Sequence, residues 1–457
     1  MYSQIQYLPD MNEAKLPTGP KGNIIFTAAK ELRTNVLGLI ERHAREYADI
    51  SRLRIGPYYY VNVYDPLMIE HIFADSQLYT KGRENANLKY LLGNGLLTNE
   101  GEFWMKQRRL IAPVFHKKRL ATFVQQIIDI TDKLMDDWEQ RGDSEMDIHA
   151  EMTQITLSIV SRTLLSTDAS GDFMKISDAL VILMKGLSTE TTKLIRLPQW
   201  MPTPYNLRMA KNRAILDKLI LDIIAERRAT GAQHDDLLTM LIEVEDADTA
   251  ERMTDAQLRD EVITIFLAGH ETTANAMSFA MYLMAMNPEA AKRIKEETQK
   301  VLADGPLTFE SLMKLDYTTR AVKEVMRLYP PAWIIGREAS RDDILGGYLI
   351  KKGDTMMMFP YLTHRNPKYW EDPLTFDPDR FLPERMKEKP RYAYFPFGGG
   401  ARLCIGNNFA MMEMQIILAL ICTKFDFTVP KDFKLELEAL VTLRPKGKLP
   451  LIVKKTS

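Results

Sequence analysis

The sequence predicts a mainly α-helical protein with small β-sheets near the two ends of the chain. Apolar residues recur with a 3.6-residue period through nearly every segment from about Asp65 to Leu328. Runs suited to short strands flank that body, and no internal repeat or low-complexity linker divides it. We therefore expect a single domain over residues 1–457, with no reductase module fused to it.

The chain is 46% hydrophobic and 26% charged with a formal net charge of −1, which excludes a disordered chain and a nucleic-acid binder driven by overall charge. Its two cysteines, Cys404 and Cys422, form no C-x-x-C pair or disulfide framework, so a reducing, cytoplasmic setting is expected. The N-terminus has no apolar run long enough for a signal or a transmembrane anchor.

Residues 1–23 are polar and proline-containing and read as an extended lead-in. Helical spacing follows from about Ile24 to Tyr47, and "DISRLRIGPYYYVNVYDP" then alternates around Gly56-Pro57 as a hairpin does. After the helical body, turn residues at short intervals past Pro331 point to small strands. A second apolar helix is expected to begin near Asn407, and the chain closes on further strand-like runs.

Cys404 lies in a turn with glycines at 398, 399, 400 and 406. A thiolate that binds a metal in a flat macrocycle needs polar hydrogens around the sulfur and a backbone able to pass close to the ring. Glycines supply that approach and permit unusual dihedrals. Arg402 is able to pair with a carboxylate such as a haem propionate. The following helix would bring its positive N-terminal end near the sulfur. A glycine-rich loop with a passively buried cysteine is the alternative, and Cys422, on the apolar face of that helix, reads as core packing.

The apolar stretch from about Ala256 to Met286 is long enough to cross the molecule, on the order of 45 Å as a helix. Its middle, "AGHETT" at Ala268–Thr273, holds a glycine, an acid and two threonines, all costly in a helix interior. A threonine hydroxyl bonding back to a carbonyl one turn earlier loosens the helix and opens a small groove, and Gly269 keeps its wall low. His270 receives no role.

The pattern F-x-x-G-x-R-x-C-x-G, filled by Phe397, Gly400, Arg402, Cys404 and Gly406, resembles the haem-thiolate signature of the cytochrome P450 superfamily. Four further motifs of that family appear in its order. "WMKQR" is similar to W-x-x-x-R, and Trp104 and Arg108, four residues apart, would share a helix face and reach one propionate. "AGHETT" resembles A-G-x-[DE]-T-T, which implies that Thr272 steadies the oxygen being activated while Glu271 helps deliver protons, with Ala268 and Gly269 against the haem. "EVMR" and "FDPDRF" resemble E-x-x-R and P-x-R-F, implying a buried structural trio of Glu324, Arg327 and Arg380. The resemblance also implies propionate contacts at Arg337 and His364.

The resemblance thus implies the cytochrome P450 fold, a haem b cofactor and monooxygenation of a hydrophobic, lipid-like substrate by O2. Leu267, Ala268, Ile334, Ile335 and Val441–Leu443 fall where the family lines its cavity. Electrons would come from a ferredoxin or flavodoxin served by an NAD(P)H-dependent reductase. "KQRRLIAPVFHKKR", with seven basic side chains including one histidine, is a candidate docking face for an acidic carrier. Peroxide-driven oxidation or hydroperoxide rearrangement is the alternative on the same cofactor, although relatives of that kind commonly lack the threonine. A non-catalytic haem or electron carrier is the alternative of another class.

Overall fold

The computed structural model describes residues 13–47, 49–82, 85–166, 175, 179, 182, 183, 186, 201–231, 234–246 and 250–456. The principal elements up to the middle of the chain are α1 (Val36–Tyr47), β1 (Ile50–Ile55), β2 (Tyr58–Val63), α2 (Pro66–Ala74), β3 (Tyr79–Thr80), α3 (Gly101–Ile111), α4 (Val124–Arg141), β4 (Ser144–Asp147) and α5 (Ile148–Leu165). Then come α6 (Pro204–Thr230), α7 (Asp255–Met286), α8 (Pro288–Ala303), α9 (Asp316–Leu328), β5 (Ile335–Ala339), β6 (Asp343–Leu345), β7 (Tyr348–Ile350) and β8 (Thr355–Met358). The chain ends with α10 (Asn407–Lys424), β9 (Phe425–Thr428), β10 (Leu437–Ala439), β11 (Leu443–Pro445) and β12 (Pro450–Lys455). They belong to two compact units.

The first unit comprises Met1–Asn85, Ala332–Thr375 and Glu384–Cys404. Its five-stranded sheet has the order β1-β2-β8-β5-β3. Strands β1 and β2 form the hairpin expected around Gly56, which takes φ +61°, the left-handed region a tight turn needs. Strand β8 then joins β2 in parallel. Val61, Val63, Met356 and Met358 of this sheet are fully buried with Ile69 and Phe73 of α2, Tyr392 and Phe395 in one apolar cluster. Asp65 caps α2 by accepting from the amides of Leu67 and Met68, and Pro66 starts it.

The second unit comprises Ala86–Pro331, Phe376–Pro383 and Ile405–Ser457. Helix α7 packs along α5, and α10 lies against α4, α7, α8 and α9. Helix α10 is apolar nearly all round, so burial on every side is its stable position, and Ile416–Cys422 are all buried. Helix α7 begins at a capping box in which Thr254 and Gln257 satisfy each other's backbone amides, and stops at Asn287-Pro288. A β4-β12-β9 sheet and the β10–β11 hairpin complete this unit.

Two local expectations change. The helix expected over residues 24–47 is three pieces, Ile24–Thr27, Ala29–Thr34 and α1. Asn35 makes one break by leaving helical dihedrals (φ −156°) and accepting the Gly38 amide on its side chain at 3.0 Å. The helical body is also interrupted by β3 and β4, each too short to leave a periodic signature, stabilised by pairing with β5 and β12. Of the extended lead-in, residues 1–12 lie outside the described residues, and the described part is extended as expected, with Lys15 bridged in parallel to Tyr348 of β7.

Candidate functional site

The cysteine turn belongs to the first unit and is closed by its own backbone. The Cys404 amide donates to the Phe397 carbonyl at 3.0 Å, and the Leu403 amide to the Gly400 carbonyl at 3.2 Å. Gly400 has φ +62°, and a Cβ there would stand 2.0 Å from the Phe73 carbonyl oxygen. Gly399 is extended, but a Cβ would lie 2.3 Å from the Tyr392 ring, so only hydrogen fits. Gly406 departs from expectation: its φ is −88° and a Cβ would make ordinary contact, 3.7 Å from Phe115. The loop presents an exposed Cys404 after a 3-10 turn that ends on Arg402, with Phe397 half-buried before it.

Cys422 shows what a passive thiol looks like in this protein. It is 2% exposed, and burial, reinforced by Asp426, pushes it up to about 12, so it stays a neutral thiol. Two other residues of the first unit were expected at the cofactor. Arg337 is buried, donates to the Gly336 carbonyl at 2.7 Å and lies 5.7 Å from the Phe73 ring. His364 is wholly buried, and its Nε2 accepts the Phe395 amide at 2.8 Å between the Tyr394 and Phe395 rings. That bond lets His364 brace the entrance to the cysteine turn.

In the second unit, Thr272 Oγ1 donates to the Ala268 carbonyl at 2.6 Å, the back-bond expected from the sequence. Helix α7 nevertheless runs without interruption through it, so the loosening is confined to that hydroxyl and carbonyl. Ala268 is exposed although Leu267 and His270 beside it are buried. Glu271 is held from a distant part of the sequence: Thr442, in the turn before β11, donates to its Oε1 at 2.6 Å. Asn275 donates in turn to Thr442 Oγ1 at 3.1 Å. Because the amide fills the hydroxyl's lone pair, the hydroxyl hydrogen is left to point at the carboxylate.

Gly269 and His270 face elsewhere. A Cβ on Gly269 would make ordinary contact with Val160 of α5, at 3.4 Å, on the α5–α7 seam. His270 is hydrogen-bonded to the Thr153 backbone on the same seam, and burial lowers it to about 4, which keeps the ring neutral.

Glu324, Arg327 and Arg380 meet. Arg327 binds Glu324 through two bonds of 2.6 and 2.8 Å, Arg380 Nε lies 3.3 Å from its Oε1, and the Asp377 amide donates to it at 2.9 Å. Glu324 and Arg327 are 0% exposed, so burial pushes the carboxyl up against the guanidinium bonds that pull it down. On α3, Trp104 is buried and Arg108 stacks over its ring at 5.8 Å, so the two share a face as their spacing predicts.

These residues fit a macrocycle-borne metal. Among the described residues no three His, Cys, Asp or Glu converge as a metal cage, whereas Cys404 offers one thiolate on a turn where a Cβ is excluded twice over. One donor suits an iron whose other ligands come from a porphyrin. Sequence reasoning missed Thr442 and Asn275 as partners of Glu271. The signal was present only as a hydroxyl in the "VTL" turn named as a cavity wall.

A family model described as Cytochrome P450 matches residues 17–451. The chain is 33% identical over 382 residues to the cyclooctat-9-en-7-ol 5-monooxygenase of Streptomyces melanosporofaciens, covering 83% of this chain and 82% of the relative. It is 31% identical to the pentalenene oxygenase of Streptomyces avermitilis, over 87% of this chain and 88% of that one. The solved structure of the cytochrome P450DA heme domain superposes with a TM-score of 0.88 at 27% identity, covering 97% of this chain and 98% of that one.

Proposed function

Because the chain belongs to the cytochrome P450 family and is a P450 monooxygenase, we propose that it oxidises a terpenoid substrate on a haem b held through the Cys404 thiolate. The overall change takes one O2, two electrons, two protons and a C–H bond to a C–OH bond and one water. Relatives named for oxidising cyclooctat-9-en-7-ol and pentalenene support the terpenoid class. The observation that carries the reading is the hydroxyl-held acid on α7, Glu271 fixed by Thr442 one residue before the back-bonded Thr272.

The haem, when bound, supplies oxygen activation and the site of electron entry. The chain's own residues do the rest. Thr272 trades its bond to the Ala268 carbonyl for one to the oxygen being reduced, and Glu271 restores its proton. Thr442 and Asn275 keep the Glu271 carboxylate from swinging away. Ala268 offers a small apolar wall, and Arg337, Arg402, Arg108 and Trp104 are the groups with the charge and donors to meet propionates. The trio around Glu324 braces the fold.

Electrons are proposed to arrive from a separate ferredoxin or flavodoxin served by an NAD(P)H-dependent reductase, in the cytoplasm. His116, Lys117, Lys118 and Arg119 are all exposed beside a surface hollow of about 640 Å³, while Lys106 and Arg109 are paired with Glu251 and Asp246. The acidic-carrier surface therefore narrows to residues 116–119. No helix among the described residues is long and apolar enough to cross a membrane.

The test is the carbon monoxide difference spectrum of the reduced protein. A thiolate-type band is expected for the wild type and its loss for Cys404→Ser; a band that survives the substitution removes Cys404 as ligand.

A further inference from the structure

The face of α7 that carries Thr272 continues toward the helix N-terminus as a polar stripe the reaction does not use. Glu261, Thr264, Ala268, Thr272 and Asn275 follow one another at spacings of three and four, so they share a side of the helix. Glu261 is 1% exposed and Thr264 6%. The Leu96 amide donates to Glu261 Oε2 at 2.9 Å, and Gly95 comes so close that a Cβ would lie 2.2 Å from Thr264 Oγ1.

Two atoms in this cluster have no hydrogen-bond partner among the described residues: Glu261 Oε1 and Thr264 Oγ1. The buried hydroxyls of Thr131, Thr156 and Thr163, like that of Thr272, all donate to a carbonyl one turn back, and Thr264 does not. An enclosed donor and acceptor left unmatched cost free energy unless something else fills them. Burial, with Asp260 adding to it and the Leu96 amide opposing it, pushes Glu261 up to about 8, so near neutral pH the group is mostly a carboxylic acid. With Oε2 accepting the Leu96 amide, the O–H falls on Oε1, the unmatched atom.

We propose that Glu261 and Thr264 anchor a neutral hydroxyl already present on the hydrophobic substrate, the substrate oxygen accepting from Glu261 and donating to Thr264. The proposal rests on the reading of Ala268–Thr272 as the oxygen-activating end of the same face. At 1.5 Å per residue the anchor stands on the order of 10 Å from that end. The preferred substrate is therefore a terpenoid-sized alcohol oxidised at a carbon that far from its hydroxyl. An earlier hydroxylation, or a cyclisation quenched by water, must supply it. A carboxylate in the same place would have to leave water as a charged group at a buried site, a desolvation cost the neutral hydroxyl avoids, and is selected against.

Three probes with one chain length test this: dodecan-1-ol, dodecane and dodecanoate, titrated against the ferric holoprotein by the substrate-induced change in the haem spectrum. The wild type is expected to bind the alcohol about tenfold tighter than the alkane, and the carboxylate more weakly than the alcohol. Thr264→Val, a near-isosteric change, and Glu261→Leu should each bring alcohol and alkane within about threefold while leaving alkane binding intact. An alcohol preference unchanged in both variants, or absent from the wild type, overturns the anchor. Infrared spectroscopy gives a reading that needs no turnover. The carbonyl band lost in Glu261→Gln should shift when dodecan-1-ol is added and not when dodecane is, and an unmoved band also overturns the proposal. A missing thiolate band in the carbon monoxide spectrum refutes the haem assignment alone, since the infrared comparison reads Glu261 directly.

Discussion

Glu324 and Glu271 are helical glutamates of the same unit, and the surroundings of the two are opposite. Around Glu324 every oxygen is met by a guanidinium or a backbone amide, and no water reaches it. Around Glu271 one threonine hydroxyl does the holding, and the side chain is only half-buried. The first arrangement is expensive to disturb because a stranded charge would stay buried. The second is cheap to disturb, which the proton-delivering role proposed for Glu271 requires. On that proposal stability and chemistry are carried by separate carboxylates, and substitutions should separate them too.

The sharpest contrast is expected at the trio. Glu324→Ala leaves Arg327 and Arg380 buried beside each other and should cost about 3–5 kcal/mol, read as a fall in the denaturant midpoint or as failure to fold. A fold that tolerated this change would erase the distinction. Next comes the cysteine turn: Gly400→Ala forces a left-handed alanine against the Phe73 carbonyl and should cost at least about 1–3 kcal/mol. Haem content per chain, measured after purification, should fall with it.

A third expectation concerns pH. The Glu261 carboxyl has its folded value raised to about 8 from an ordinary 4.5, so between those values the folded state holds the extra proton. Stability should then fall as pH rises through that window, by up to about 1.4 kcal/mol per unit. Denaturation at pH 6 and pH 8 should show the slope in the wild type and a shallower one in Glu261→Gln. The smallest effect on the fold belongs to the chemical end. Thr272→Ala replaces a back-bonded threonine with a better helix former and should gain a few tenths of a kcal/mol, up to about 0.7. The same variant should divert reducing equivalents to peroxide, with dodecan-1-ol as substrate. Thr442→Val should do so more mildly, and unchanged peroxide yields in both would remove the relay.

Much of this was legible in the sequence because it is local. The cysteine turn, the spacing of Trp104 and Arg108, and the length of α7 are written within runs of ten to thirty residues, where glycine dihedrals and helical period act. The partners of those residues are not local. Thr442 reaches Glu271 across 171 positions, and no spacing rule announces such a bond. Gly269 and His270 sit in the same short motif as Thr272, yet the helix turns them toward α5, which only the packing of that helix reveals. His364 is expected at a propionate from the family resemblance alone, and its bond to the Phe395 amide depends on how a turn thirty-one residues later folds back.

The capping box at Thr254 and Gln257 has a consequence for the whole long helix. It fixes the angular origin of a rod about 48 Å long, from which Glu261, Thr264, Ala268 and Thr272 are read off like marks on a dial. One residue inserted between the cap and Ala268 would rotate every later mark by about 100° and turn the face proposed for oxygen activation toward the seam against α5. The distance from that first hydroxyl to Thr272 is therefore a quantity the protein cannot vary, even where the side chains in between are free to change.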